Sequence, residues 1–291
     1  MIATNGRLKI AIQRKGRLTD ESVALLRSCG LVFEFHKESL YSPCTNFPLD
    51  VLAIRDDDIP EYVQDGVADL GIVGENILLE KRARIKILAP LGFGSCRLTI
   101  SVPQRSNIRR IADLRKKRIG TTYPVILKAY LDSNRVRAEI IRLSGSVEIA
   151  PTLDVADAIC DIVSTGTTAR MNGLRPLTTV LESQACLVAS PRVLADKKRR
   201  ALMESLMIRV RGFLEARGKR YVMMNAPATS VSKLRRVIPS LKSPTIVPLA
   251  EQGMVAVHSV VAEDIFWDVM EKLKMAGASD IIVIPIETII R

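Results

Sequence analysis

Two histidines in 291 residues, His36 and His258, stand apart and alone. A His-rich metal site or a Ser-His-Asp hydrolase therefore has little material to work with. The five cysteines, Cys29, Cys44, Cys96, Cys160 and Cys186, are odd in number, widely spaced and contain no C-x-x-C pair. That pattern points to reduced, mostly buried thiols in a reducing compartment. Aromatic residues make up only 4% of the chain, too few for the stacking platforms that hold single-stranded nucleic acid. No uninterrupted apolar span reaches bilayer length, and the opening MIATNGRLKIAIQRKGRL lacks the apolar centre of a secretion signal. The expectation is a soluble, cytoplasmic protein with no membrane partner.

What is present is an ordinary globular balance, 47% apolar and 25% charged, in a chain long enough for two or more domains with sizeable cores. The formal charge of +12 suggests an anionic partner. No recognised nucleic-acid module carries that charge, so small polyphosphates are expected and nucleic acid is not. The run Lys197-Lys198-Arg199-Arg200 reads as a solvated helix face.

A strand, then a loop, then a helix recurs along the chain. LKIAIQRKGRL reads as a strand entering a glycine-bearing basic loop, followed by a helix that Thr19 caps and Gly30 ends. LDVLAIRDDDIP repeats the scheme, with a helix beginning near Ile59 and Pro60 in its first turn. ADLGIVGEN, CRLTISVP and AEIIRLSG are further strands, and KKRIGTT leads through a Thr-rich turn into the helix YPVILKAYLDS. ACLVAS precedes one long amphipathic helix over 191–216. The alternation predicts α/β layers on a largely parallel sheet. Residues 1–103 with 185–220 form a first lobe, and 104–184 a second lobe inserted within it. Ligands are expected in the cleft between them, beyond the carboxyl ends of the strands. Residues 221–291 change to the order βαββαβ, a ferredoxin-like unit that either binds a small effector or only packs and oligomerises.

Chemistry concentrates in CDIVSTGTTARMNG, residues 160–173. Gly166 lets the backbone approach a ligand, and successive N–H groups at a helix start form an anion-binding concavity. Ser164, Thr165, Thr167 and Thr168 add hydroxyl donors for phosphate oxygens. Asp161, at the strand's end, suits sugar hydroxyls or positive charge developing on a ribose ring; a plain polar turn with Asp161 on backbone donors uses the same residues. Glu148, in GSVEIAP, either faces the same cleft or is a surface acid. Arg14, Lys15 and Arg17 surround Gly16 in one basic loop. Arg55 precedes Asp56-Asp57-Asp58, which is either a solvated cap cluster or, beside a polyphosphate, a place for Mg²⁺. Arg97, in GFGSCRL, stands where a guanidinium clamps an anion bidentately. No protein ligand set for a metal is identifiable.

Together AIQRKGRL, RDDDIP, DLGIVGEN, GSCRL, TTYP, GSVEIAP and DAICDIVSTGTT resemble, nearly end to end, the ATP phosphoribosyltransferase family. The terminal βαββαβ unit is similar to the regulatory domain of the family's long form. Two positions depart from the pattern around the phosphate loop: Asp154 replaces an expected glycine, and Ala169 a larger apolar residue. The resemblance implies a two-lobed, periplasmic-binding-protein-like α/β catalytic core with a C-terminal ferredoxin-like, ACT-like regulatory domain. It implies joining N1 of the ATP adenine to C1 of phosphoribosyl pyrophosphate with release of pyrophosphate, the first step of histidine biosynthesis. Mg²⁺ is the implied cofactor, histidine the implied feedback inhibitor, and a homo-oligomer of dimers or hexamers the implied assembly. By the same resemblance, residues 164–168 hold the 5′-phosphate. Asp161 and Glu148 meet the ribose hydroxyls, and Arg55, Arg17 and Arg97 the phosphate chains, with Arg55 grouped with the two acids as catalytic. Asn225, Thr245 and Ser279 are the implied contacts to histidine.

Two other classes share parts of this pattern. A solute-binding protein has the same two-lobed layout and needs no catalytic groups. A transcriptional regulator with such a sensor core needs a helix-turn-helix at one end, whereas this chain opens into a strand.

Overall fold

The structure, a computed structural model, describes residues 6–36, 38–163, 167–238 and 243–291, the side chains of Thr168, Ile265 and Phe266 excepted. It divides into two compact units, Met1–Ser205 and Leu206–Arg291. In chain order the first unit opens with β1 (Leu8–Gln13), α1 (Thr19–Ser28), β2 (Tyr41–Pro43), β3 (Leu49–Ile54), α2 (Ile59–Gln64), β4 (Leu70–Gly74), α3 (Glu75–Lys81) and β5 (Lys86–Pro90). There follow β6 (Cys96–Pro103), β7 (Arg118–Thr121), α4 (Pro124–Ser133), β8 (Glu139–Arg142), β9 (Ala158–Val163), α5 (Thr167–Met171) and β10 (Leu174–Ser183). β11 (Ala185–Ala189), α6 (Pro191–Ala195) and α7 (Lys197–Ala216) come next, and α7 runs on into the second unit.

The first sheet has the order β2-β3-β1-β4-β11-β5, with β1 parallel to β3 and β4 and β11 antiparallel to both its neighbours. One face of β1 is wholly apolar, with Leu8, Ile10 and Ile12 fully buried, and Ala11 on the other face is fully buried as well, the mark of a central strand covered on either side. The second sheet has the order β10-β6-β9-β7-β8, with β7 parallel to β8 and β9.

The expected lobe limits need correction here. β6 falls in the range assigned to the first lobe, yet it pairs antiparallel with β9 and β10 in the second sheet. Its alternating Leu98, Ile100 and Val102 fill that lobe's core with Ile119, Leu127 and Ala158. A strand with both edges and one whole face committed cannot stay with the sheet it came from.

Four local expectations also shift. Thr19 is the first helical residue of α1, not its cap: the N-cap is Leu18, whose N–H donates to Gln13 Oε1 at 2.8 Å. The Thr19 hydroxyl is buried with no hydrogen-bond partner among the described residues. Gly30 follows the helix at φ +74°, as expected of a residue ending it. The single helix over 191–216 is two, because Asp196 is extended and its Oδ1 accepts the N–H groups of Lys198 and Arg199 to start α7. Within the basic run, Arg199 is not solvated: its Nη1 lies 2.8 Å from both oxygens of the buried Asp69 carboxylate. Asp154 adopts φ +53°, the region that favours glycine, and its Oδ1 lies 2.8 Å from Arg118 Nη2. It stands before β9, at the opposite end of that strand from residues 164–168, and so does not flank the phosphate loop. Ala169, in α5, packs against the small cluster of Val147, Ala150, Ala156, Ile159 and Leu174.

The second unit continues with β12 (Lys219–Pro227), α8 (Val231–Val237), β13 (Thr245–Pro248), β14 (Met254–Ala262), α9 (Glu263–Met275) and β15 (Ser279–Pro285). The βαββαβ order and the antiparallel arrangement β13-β14-β12-β15 are those of a ferredoxin-like domain. Its core joins Val222, Met224, Val257 and Val261 to Leu234 of α8 and Leu273 of α9. The expected start at 221 falls two residues inside β12.

All five cysteines are free and buried, and burial pushes the Cys44 and Cys186 thiols up to about 11. Among the described residues no helix is long and apolar enough to cross a membrane.

The Asp69–Arg199 pair generates a stability test. Arg199→Ala leaves a carboxylate with 2% side-chain exposure without its counter-charge and is expected to cost roughly 3 kcal/mol in urea denaturation. Arg200→Ala, which breaks an exposed pair with Glu204, is expected to cost no more than about 0.5 kcal/mol.

Candidate active site

Asp161 lies near the carboxyl end of β9, opposite Thr99 of β6. Its Oδ1 accepts the N–H of Ile162 at 2.8 Å. Burial raises its carboxyl above the usual range, the Ile162 N–H pulls it back, and the negative charge of Glu148 raises it further. Glu148 sits in the 3-10 turn Val147–Ile149, entered through Ser146 at φ +48° and anchored by buried Val147. The two acids singled out in sequence, 13 positions apart, are thus electrostatic neighbours.

The expected phosphate loop is only partly described. Ser164, Thr165 and Gly166 lie outside the described residues. Thr167 opens α5 with its side chain exposed and Arg170 Nη2 3.5 Å from its hydroxyl; of Thr168 only the backbone, in α5, is described.

Next to β9, β7 ends in the turn that leads into α4. Thr121 Oγ1 donates to the Cys160 carbonyl at 2.6 Å and accepts the Tyr123 N–H at 2.9 Å. Asn76 Nδ2 reaches across from α3 to the Tyr123 hydroxyl at 3.2 Å. Burial holds that phenol well above its usual range, with Asp161, Asp56 and Asp57 adding to the effect.

Three cavities lie along the cleft between the two sheets of this unit. The smallest, about 140 Å³, is bounded by Gln13, Arg17, Asp56, Asn76, Tyr123 and Ile162. A second, about 500 Å³, is lined by Asp56, Asp57, Glu80, Thr122, Tyr123 and Arg142 among others. A third, about 480 Å³, places Arg97 with Glu75, Glu182, Gln184 and Val163. Arg17 therefore faces the space beside Ile162, next in sequence to Asp161. Arg97 pairs with Val163 at the end of the same strand.

Arg55 lines none of the three cavities; it is exposed, at the N-cap of the 3-10 turn Asp56–Asp58. The acidic triplet is not a uniformly solvated cluster, since burial, then Asp57, raises the Asp56 carboxyl. Gly16 is at φ +142°, and a Cβ there would collide with the Gln13 amide, so the basic loop folds directly over that side chain.

In the second unit Asn225 and Ser279 are strand partners, with Ser279 Oγ donating to the Asn225 carbonyl at 3.4 Å and Asn225 Nδ2 to Asp280 Oδ2 at 3.2 Å. Thr245 is opposite His258, on β13, with β14 between it and β12. His258 in turn pairs with Met223, so Thr245 stands two strand spacings across and two residues along from Asn225, about 12 Å away. Sequence reading missed the Tyr221 hydroxyl, 2.6 Å from His258 Nδ1. It also missed Asn76, Glu80 and Tyr123 in the cleft. A signal for Asn76 existed: an amide in an apolar run is 3% exposed and so must be satisfied by partners.

Among the described residues no group of three or more His, Cys, Asp or Glu is placed to hold a metal ion. Asp161 and Glu148 act electrostatically on one another, and neighbouring like charges of this kind suit a hard cation bound mainly through a ligand's phosphate oxygens.

Residues 55–212 match the family model for ATP phosphoribosyltransferase, and residues 216–288 match that for the HisG C-terminal domain. An ATP phosphoribosyltransferase from Cytophaga hutchinsonii is 47% identical over 284 residues, 98% of this chain and 99% of its own. A solved structure of an ATP phosphoribosyl transferase (HisG:HisZ) complex from Thermotoga maritima aligns at TM-score 0.60 and 30% identity. It covers 70% of this chain and 98% of the matched one.

The raised Asp161 carboxyl has a defined consequence for stability. Its folded value lies above the unfolded one, so the unfolded chain binds fewer protons between the two and stability falls as pH rises through that window. Asp161→Asn removes the cost of the buried charge while keeping an acceptor for the Ile162 N–H. In calorimetry the variant is expected to melt above wild type at pH 7, the difference closing below the ordinary carboxylate value of about 4.

Proposed function

The chain belongs to the ATP phosphoribosyltransferase family, in the long form that carries a C-terminal domain, and on that premise we propose that it transfers the phosphoribosyl group of phosphoribosyl pyrophosphate to N1 of ATP. The observation that carries this reading is the half-buried Asp161 near the end of β9, just ahead of residues 164–168, with the charge of Glu148 acting on it from the turn 147–149.

Adenine N1 already has a free lone pair, so no histidine base is needed, in keeping with a chain that has two. N1 attacks ribose C1, the C1–O bond breaks, and pyrophosphate leaves. The difficult moment is the electron-poor ribose facing an anionic leaving group, where fixed charges act most strongly. Asp161 and Glu148 hold the ribose hydroxyls and favour positive charge on the ring. Residues 164–168 hold the 5′-phosphate, and Arg17, Arg97 and Arg55 hold the phosphate chains. Mg²⁺, when bound with the substrates, neutralises the pyrophosphate; the same carboxylate pair fits it, because the two like charges beside each other are relieved by a cation.

Histidine, the end product, inhibits by binding the terminal domain near Asn225 and Ser279, with Thr245 on the same sheet. Binding favours one arrangement of a homo-oligomer, dimer or hexamer, over another. The free, buried thiols suit a cytoplasmic setting.

Mixing the pure protein with ATP, phosphoribosyl pyrophosphate and Mg²⁺, with a pyrophosphatase to draw off product, is expected to yield phosphoribosyl-ATP by mass; no adduct would leave only a binding role. Asp161→Ala is expected to lower kcat by about a hundredfold or more while unfolding in urea within about 1 kcal/mol of wild type. Equal losses of turnover and stability would make the carboxylate a structural cap. Asn225→Ala is expected to raise the half-inhibitory histidine concentration about tenfold, the weight of one hydrogen bond, with kcat unchanged.

A further inference from the structure

Two polar contacts between the lobes of the first unit converge on one short segment, residues 123–126. Helix α4 begins at Pro124, and its N-cap residue, Tyr123, makes no side-chain capping bond. The first N–H groups of a helix need acceptors. Here they come from the other lobe: Glu80 of α3 accepts the Val125 N–H at 3.0 Å (Oε1) and 3.2 Å (Oε2), and the Ile126 N–H at 3.1 Å (Oε2). A carboxylate at that end of a helix is also favoured by the helix dipole. One turn earlier on α3, Asn76 binds the Tyr123 hydroxyl. The same Asn76 is fixed to the end of β10, its N–H donating to Ser183 Oγ at 3.0 Å and its Oδ1 accepting from that hydroxyl at 2.9 Å.

Resting on the reaction proposed above, we propose that Glu80 is a positioning residue: by capping α4 from the opposite lobe, it sets the spacing of the cleft and the placement of the Thr121–Tyr123 turn beside Asp161. Lys81 and Arg142 line the same cavity, yet Glu80 has no ion-pair partner among the described residues, so its carboxylate is committed to the two amides. A cap within one lobe would act only on stability. This one spans two lobes to which the proposed reaction assigns different groups, Arg17 after β1 on one and Asp161 on β9 of the other, so its loss falls on the geometry of the ternary complex. Reaction rates are far more sensitive to that geometry than binding is.

The test compares wild type, Glu80→Ala and Glu80→Gln, all as full chains. The alanine variant is expected to lose about five- to thirtyfold in kcat, with both KM values within about twofold of wild type. Gln, whose carbonyl still accepts one N–H, is expected to recover most of that loss. Nitroxides on Val67→Cys and Arg137→Cys, one in each lobe, are expected to give a broader distance distribution by pulsed EPR when Glu80 is Ala. Unchanged kcat in the alanine variant overturns the proposal. So does a loss that Gln does not rescue and that matches the fall in melting temperature. Should the alanine variant fail to fold, Glu80→Asp, whose carboxylate stops one methylene short of the amides, takes its place with the same expectations. If wild type makes no phosphoribosyl-ATP, the reading of the reaction has failed instead; the EPR comparison then still decides whether Glu80 holds the lobes.

Discussion

A parallel strand delivers its following loop to one end of the sheet, and both sheets of the first unit turn that end toward the same cleft. β1, β3 and β4 run together on one side, β7, β8 and β9 on the other. The loops after them supply Arg17, Asp56 and Asn76 from one lobe and Tyr123 from the other to a single cavity. Arg17, Arg55, Glu148 and Asp161 depend on this directional constraint, while Arg97 reaches the same end of the sheet from the start of the antiparallel β6. The buried strands are mostly apolar and supply rigidity; Asp161 on β9 and Arg97 on β6 are the strand residues with a part in the proposed chemistry.

The price of such a cleft is electrostatic. Asp161 and Asp56 are each held in surroundings that disfavour their charge, and both have an acidic neighbour. A protein selected only for stability would bury Asn or Leu there. The strain makes sense where cations and hydrogen-bond donors arrive with the ligand. It also explains why basic groups at the rim, Arg17, Arg55 and Arg97, remain exposed rather than pairing with those acids.

Much of this was legible in the chain of letters, and the failures have physical causes. Strand existence was readable because a buried strand must be apolar, as in LKIAIQ and ACLVAS. Its sheet partner was not readable: β6 looks the same whether it pairs with β5 or with β9 and β10. Arg199 and Arg200 are adjacent and chemically identical, yet one is bound to a buried carboxylate and the other to an exposed one. Asp196 breaks a helix by a cap that composition alone does not distinguish from a surface acid. The glycine expected at 154 reflects a true backbone demand, met instead by an aspartate that gains Arg118 as partner.

By itself the sequence determined the alternation of strands and helices, the βαββαβ terminus, the loops that carry charge and hydroxyls, and the acid just ahead of the hydroxyl-rich turn. Local periodicity and residue chemistry are enough for those, because each depends on neighbours within a few positions. Only the tertiary structure decided that the charge of Glu148 acts on Asp161, that Asn76 reaches Tyr123 across 47 positions, and that Glu80 caps a helix 45 positions away. Such contacts depend on how two sheets are set against each other, and no spacing within the chain encodes the distance between two lobes.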